Sequence, residues 1–163
     1  MAGKRVGVVD LESAAGGYLF QAYELVKVGL IPERDFANFV VIPDQKAIAY
    51  AVVNQTVDAG FIRTGMLEAL QDSDLDTSQL RILHEQTGII KYPRSTDVYP
   101  HWGFLVSKDI PGEIKEIVQN ALLALEPDDI ASKNAGISGF VEPSDYQKIK
   151  LIMRTLKVPP FDL

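Results

Sequence analysis

Apolar positions along this chain alternate between two periods. Arg5-Val6-Gly7-Val8-Val9 is a short β-branched run ending at Asp10, and Leu19, Ala22, Tyr23 and Val26 then recur at helical spacing. This predicts a strand, a loop, and a helix over about 17–28 that stops at Gly29 and Pro32. The unit repeats. Phe39-Val40-Val41-Ile42 reads as a second strand, Pro43-Asp44 as a helix start with Asp44 as its cap, and Ala47, Ile48, Ala51 and Val52 as the apolar face of a helix closed by Asn54. Ala59-Gly60-Phe61-Ile62 is a third strand, and Thr64 caps a helix carrying Met66, Leu67 and Leu70. Strand alternating with helix at this spacing predicts an α/β fold with a mainly parallel sheet, right-handed crossovers and helical cover on both faces.

Beyond residue 70 the pattern loosens. Residues 71–79 form a polar connection, after which Leu80-Arg81-Ile82-Leu83-His84 returns to strand character. From Gln86 to His101 the chain carries Gly88, Pro93 and Pro100 with Lys91, Tyr92, Arg94 and Tyr99 among them. A loop this long inside a compact domain is usually functional, which makes it a candidate site loop. Trp102 to Ser107 is expected to be another strand, with Trp102 partly buried at its head. Ile114, Ile117, Val118, Ala121, Leu122 and Leu125 mark an amphipathic helix with Pro111 near its start, whose stripe needs something to bury against. A final helix is expected to start near Pro143, bury Tyr146, Ile149, Met153 and Leu156, place Arg154 and Lys157 at its negative end, and stop before Pro159-Pro160.

Composition narrows the function. The 163 residues include 16 basic and 22 acidic ones, a net charge of -6, so no general positive field is available and no nucleic-acid partner is expected. With no cysteine, disulfides, thiolate catalysis and cysteine-ligated metal are excluded. The longest apolar runs fall far below the roughly 20 residues that cross a bilayer, so no direct membrane insertion is expected. The first residues are too short an apolar stretch for a secretory signal, and any export signal or anchor is expected outside this sequence. The two histidines, His84 and His101, sit in different segments without clustered carboxylates, and no metal is expected. Neither a Gly-x-x-x-x-Gly-Lys-Ser/Thr loop, a Gly-x-Ser-x-Gly elbow nor a His-Glu-x-x-His helix occurs. No cofactor is expected and the chain reads as no enzyme, with a small α/β enzyme using Ser13 kept as an alternative.

In an open parallel sheet the loops at the carboxyl ends of the strands share one crevice, into which the following helices aim their amide-rich N-termini. Three such ends are visible: Asp10 to Gly17 with Ser13 and its paired glycines, Asp44-Gln45-Lys46, and Arg63-Thr64. Together they form a candidate anion pocket, for which Arg63 offers a planar fork of donors. Each has a plainer reading. Ser13 also suits a loop or cap, Lys46 a solvated surface charge, and Arg63 a surface bridge to Glu68 or Asp58. Ser95, Thr96, Tyr99 and Trp102, in or beside the long loop, are candidate ligand contacts or, for the aromatics, core.

Gly3-Lys4-Arg5-Val6, the loop Asp10 to Gly17, Asp44-Gln45-Lys46-Ala47, Val57-Asp58-Ala59-Gly60 and Leu80-Arg81-Ile82-Leu83 resemble, in order and spacing, the phosphonate-binding periplasmic solute-binding protein family. Within it the chain is similar to the sensor domains of tetrathionate-sensing-type histidine kinases. Asp58 to Glu68, Ser95-Thr96-Asp97-Val98-Tyr99-Pro100-His101-Trp102, and Phe140 to Phe161 carry that likeness. The resemblance implies a three-layer αβα, type II periplasmic-binding-protein-like fold. It also implies capture of a small solute, commonly an anion, in the periplasm, as the extracytoplasmic ligand-sensing domain of a sensor histidine kinase. The solute-binding component of a phosphonate-type ABC transporter is the alternative. Its ligand contacts map onto Ser13, Gln45 and Arg63-Thr64. Two departures argue against phosphonate itself: the family's hydroxyl run is reduced here to Ser13-Ala14-Ala15-Gly16, and a usual His-Asp pair is Gln45-Lys46. Complete members are longer, and the chain resembles the second half of such a domain. Residues 1–86 are then a second-lobe-like unit and residues 87–163 a crossover loop, return strand and C-terminal helices. Apolar surface left uncovered in that arrangement implies a homo-oligomer.

Overall fold

The computed structural model describes residues 3–100 and 102–162, so Met1, Ala2, His101 and Leu163 lie outside it. The described chain forms two compact units, one made of the stretch up to Tyr99 together with that from Gln147 onward, the other of residues 100–146.

At the centre of the first unit lies a three-stranded parallel sheet of order β2-β1-β3, with β1 at Arg5–Val8, β2 at Asn38–Val41 and β3 at Ala59–Gly60. Arg5 to Val8 register against Asn38 to Val41, and Val6 and Gly7 against Ala59 and Gly60. Alternation along β1 decides which layer each side chain meets. Val6 and Val8 are fully buried in a cluster with Leu19 and Ala22 of helix α1 (Leu19–Lys27), Phe36, Phe61, and Ile152 and Val158 from the C-terminal segment. Gly7 faces the other way, and a Cβ built there would sit 3.3 Å from Ile48 of helix α3 (Gln45–Val53). Sheet, α1 side and α3 side are the three layers of an α/β fold. Each such aliphatic side chain taken out of water stabilises the unit by about 1.5–3 kcal/mol.

Between α1 and β2, a four-residue helix α2 (Pro32–Asp35) begins on proline at its first position, where the missing N–H costs nothing. The Asp44 carboxylate caps α3 as expected, accepting from Lys46 N–H at 2.7 Å. After β3 the expected Thr64 cap gives way to Gly65, whose φ of +82° lets the chain turn into α4 (Met66–Ala69). A Cβ at Gly65 would also press on the Tyr92 ring at 3.1 Å. The expected strand over 80–84 is absent. Leu80 packs on the satellite cluster of Ala49, Leu70 and Leu75 instead, and His84 takes a left-handed turn with φ +52° that breaks extended pairing.

In the second unit, the expected strand over 102–107 is likewise absent, because every one of those residues is exposed and none pairs in a ladder. Trp102 is 90% exposed rather than partly buried. Helix α5 (Gly112–Leu123) forms where the amphipathic pattern places it, and none of its residues is buried, so its apolar stripe is left uncovered. A short α6 (Ile130–Ala135), which the pattern did not signal, ends on Gly136 at φ +65°.

The last helix, α7 (Gln147–Leu156), returns to the first unit. It starts four residues after Pro143, packs on α1, buries Ile152 fully and half-buries Ile149, Met153 and Leu156, while Tyr146 stays 44% exposed. Among the described residues no helix is long and apolar enough to cross a membrane.

Candidate functional site

The three strand ends meet. After β1, Asp10 organises the first loop: its Oδ1 accepts from the Glu12 N–H at 2.9 Å, the Ser13 N–H at 2.6 Å and the Ser13 hydroxyl at 2.9 Å. These donors, the Ser13 N–H foremost, hold the Asp10 carboxyl below its ordinary value. Loop and strand are closed by the Val9 N–H donating to the Gly17 carbonyl at 3.3 Å. Gly17 allows this approach, since a Cβ there would lie 2.6 Å from Val9 Cγ2.

Gln21, on the first turn of α1, ties this loop to the end of β3. Its Nε2 donates to the Gly16 carbonyl at 2.8 Å and to the Ile62 carbonyl at 3.3 Å. The next residue, Arg63, lies against the same loop, with its Cβ 3.5 Å from where a Gly16 Cβ would stand. The Arg63 N–H donates to Gln45 Oε1 at 2.8 Å, which joins the start of α3 to the pair. Gly16, Gln45 and Arg63 therefore sit at one rim, built from three separate βα connections. Arg63 and Thr64 are exposed there, and among the described residues Arg63 forms no ion pair. The plainer expectation of a bridge to Asp58 fails because Asp58 is already engaged by Arg5 at 3.1 Å. Lys46 is exposed at the same helix start. Exposed Arg63 and Thr64, with the Nε2 end of Gln45, thus supply donors of the kind an oxyanion takes.

Arg63 and Thr64 also line a cavity of about 920 Å³ that runs beside β3 and is walled by α1, α3 and the segment from Gln79 to His84. Ser95 and Thr96, from the long loop, line it too, so four of the nine expected site residues share this space. Ser13, Gln45 and Lys46 do not line it, and both Ser13 donors are already given to Asp10. The Thr96 hydroxyl donates to the Asp97 carbonyl at 2.8 Å.

Tyr99 is placed differently. Its ring stacks on Phe20 at 4.3 Å between centroids, carries the Lys148 ammonium at 4.7 Å, and its hydroxyl donates to Glu24 Oε1 at 2.7 Å. Burial first, and then the Glu24 carboxylate, push that hydroxyl well above the usual tyrosine range. Trp102 belongs to the second unit.

Two residues of the first unit carry no site signal of their own in the sequence. Gln21 shows itself only through its two carbonyl partners. Arg94 carries a charge yet is 6% exposed and lines the cavity; its only sequence signal is membership of the long loop. Among the described residues no group of three or more histidines and acids is placed to hold a metal.

Compared with known families, residues 1–147 match the one described as ABC transporter, phosphonate, periplasmic substrate-binding protein. No curated protein matches the sequence.

Proposed function

Because the chain belongs to the phosphonate-type periplasmic substrate-binding family of ABC transporters, we propose that it binds a small anionic solute at the rim formed by Ser13, Gln45, Lys46, Arg63 and Thr64. The observation that carries this is Arg63: its backbone is fixed on Gln45 and against Gly16, while its guanidinium is exposed without a carboxylate partner. A charge-assisted hydrogen bond contributes on the order of 1.5–3 kcal/mol, and micromolar binding needs about 8 kcal/mol. Three or more donors therefore have to converge, which is what the meeting of three βα connections supplies. Ser95 and Thr96 extend the same surface into the cavity. Residues 1–86, which hold all three connections, are read as the second-lobe-like unit.

Binding without turnover is the role of this family, and the chain is read as a receptor rather than an enzyme. Two settings suit such a receptor. The segments Asp58 to Glu68, Ser95 to Trp102 and Phe140 to Phe161 favour the sensing domain of a histidine kinase; the family match favours the solute receptor of a transporter. A kinase module in the same full-length chain supports the first, and permease genes beside its own support the second. Self-association is part of the reading, supported by Ile117 at 61% and Leu105 at 90% exposure in the second unit.

A thermal-shift series with phosphate, sulfate, thiosulfate and small organic acids tests the binding claim. At least one anion is expected to raise the melting temperature of the wild-type chain and not that of Arg63→Ala. A panel in which no anion moves the wild-type transition contradicts it.

A further inference from the structure

Among the described residues of the first unit, Arg94 is the one cation taken almost wholly out of water, at 6% exposure. Its backbone is pinned, N–H and carbonyl both bonded to Gln86 at 3.1 and 2.8 Å. Its guanidinium makes a single side-chain hydrogen bond, Nη1 to the Gly88 carbonyl at 2.9 Å, and Nε is buried with no acceptor. Buried charges in proteins are paired, because the desolvation cost is otherwise uncompensated. Among the described residues none supplies the partner. Three acids line the same cavity, yet Glu24 is held by Lys27 at 2.6 Å, Asp58 by Arg5, and Glu68 forms no ion pair with Arg94.

Leu25, Val52, Ile62, Leu67 and Ile82 give the wall a broad apolar stretch, beside which the exposed Arg63 and also Lys4 and Arg81 line the cavity. About 920 Å³ lies within the range of small-molecule sites. A bare inorganic oxyanion would satisfy the guanidinium but leave this apolar wall wet. We propose that Arg94 is the charge anchor of the cavity, and that its ligand is an organic anion whose oxyanion head pairs with Arg94 while an apolar body of several carbons lies along β3 and α3. This rests on the anion-binding reading above and adds to it the missing counter-charge and the class of solute.

Calorimetric titration of the full chain at constant ionic strength tests it, comparing acetate, sulfate and phosphate with hexanoate, hexanesulfonate and hexylphosphonate. At least one six-carbon anion is expected to bind tenfold or more tightly than its headgroup-only counterpart. Arg94→Met is expected to lose at least tenfold of that affinity while its ligand-free melting temperature is unchanged or higher, since an uncompensated charge has been replaced by an apolar chain of similar length. Equal affinity in Arg94→Met and wild type overturns the proposal, as does equal binding of six-carbon and headgroup-only anions. Should Arg94→Met not fold, Arg94→Lys, which keeps the charge and loses the planar fork, decides the matter: wild-type affinity in that variant is also contrary to it. Loss of binding in Arg63→Ala with none in Arg94→Met removes this inference and leaves the rim intact; no binding of any anion to wild type removes both.

Discussion

Gly60 sets how closely α3 can approach the sheet. A Cβ at that position would collide with Ile48 Cγ2 and meet Val52 Cγ2 at 3.3 Å, so the fully buried Ile48 would have to shift. Gly60→Ala is therefore expected to destabilise the chain by about 1–3 kcal/mol in denaturant unfolding, as overpacking in a close-packed interior does. At the rim, Arg63→Ala removes an exposed side chain, so folding stability should shift by no more than about 0.5 kcal/mol. Anion affinity should fall at least tenfold, the equivalent of one charge-assisted hydrogen bond. Equal losses of stability and affinity would show that Arg63 acts through the fold instead. Arg63 was legible in the sequence because a cation directly after the short apolar run Ala59-Gly60-Phe61-Ile62 falls at the carboxyl end of a strand. Arg94 was not, because nothing local distinguishes a loop arginine in water from one drawn out of water at a cavity wall.

Among the elements, α1 and α7 are joined by a charged cluster that only tertiary structure assembles. The Asp97 carboxylate accepts from Lys148 of α7 at 3.1 Å and Lys27 of α1 at 3.3 Å. These ammonium groups, Lys148 first, hold the Asp97 carboxyl below its ordinary value. For Glu24 burial pushes upward, but the Lys27 ammonium, the Tyr99 hydroxyl and the Asp97 N–H outweigh it and the net direction is down. A carboxyl whose folded value is depressed is more protonated in the unfolded chain at a given pH. Its contribution is thus present above the ordinary carboxylate range, about pH 4, and is lost as pH falls through the lowered folded values. Stability measured by urea unfolding is expected to fall on acidification in that window, and Asp97→Asn should flatten the slope; an unchanged slope would mean the cluster does not couple the helices. The α3 cap belongs to this scale as well: Asp44→Ala should cost about 1 kcal/mol. The elements that repeat as strand and helix over residues 5–70 were legible from period alone. The stretches 80–84 and 102–107 were not, because an apolar run becomes a strand only if a neighbour offers a ladder, and neither finds one.

For the whole molecule, the α/β class and the parallel sheet follow from the alternating periods, and the family match over residues 1–147 agrees with them. What the sequence could not convey is which contacts long-range folding creates: Gln21 bridging two strand ends, or α7 joining the unit that begins the chain. Exposed Ile114 and Ile117 on α5 lead to a mass prediction: light scattering should show self-association that rises with concentration and weakens in Ile117→Lys. A strict monomer at high concentration would count against it. The central claim is that a small anion seats where three βα connections converge. Backbone amide titration by nuclear magnetic resonance reads this most directly. With the anion that gives the largest thermal shift, the Gly16, Lys46, Arg63 and Thr64 signals are expected to move together along one saturating curve; saturable shifts confined to other residues, or none at all, would contradict the account.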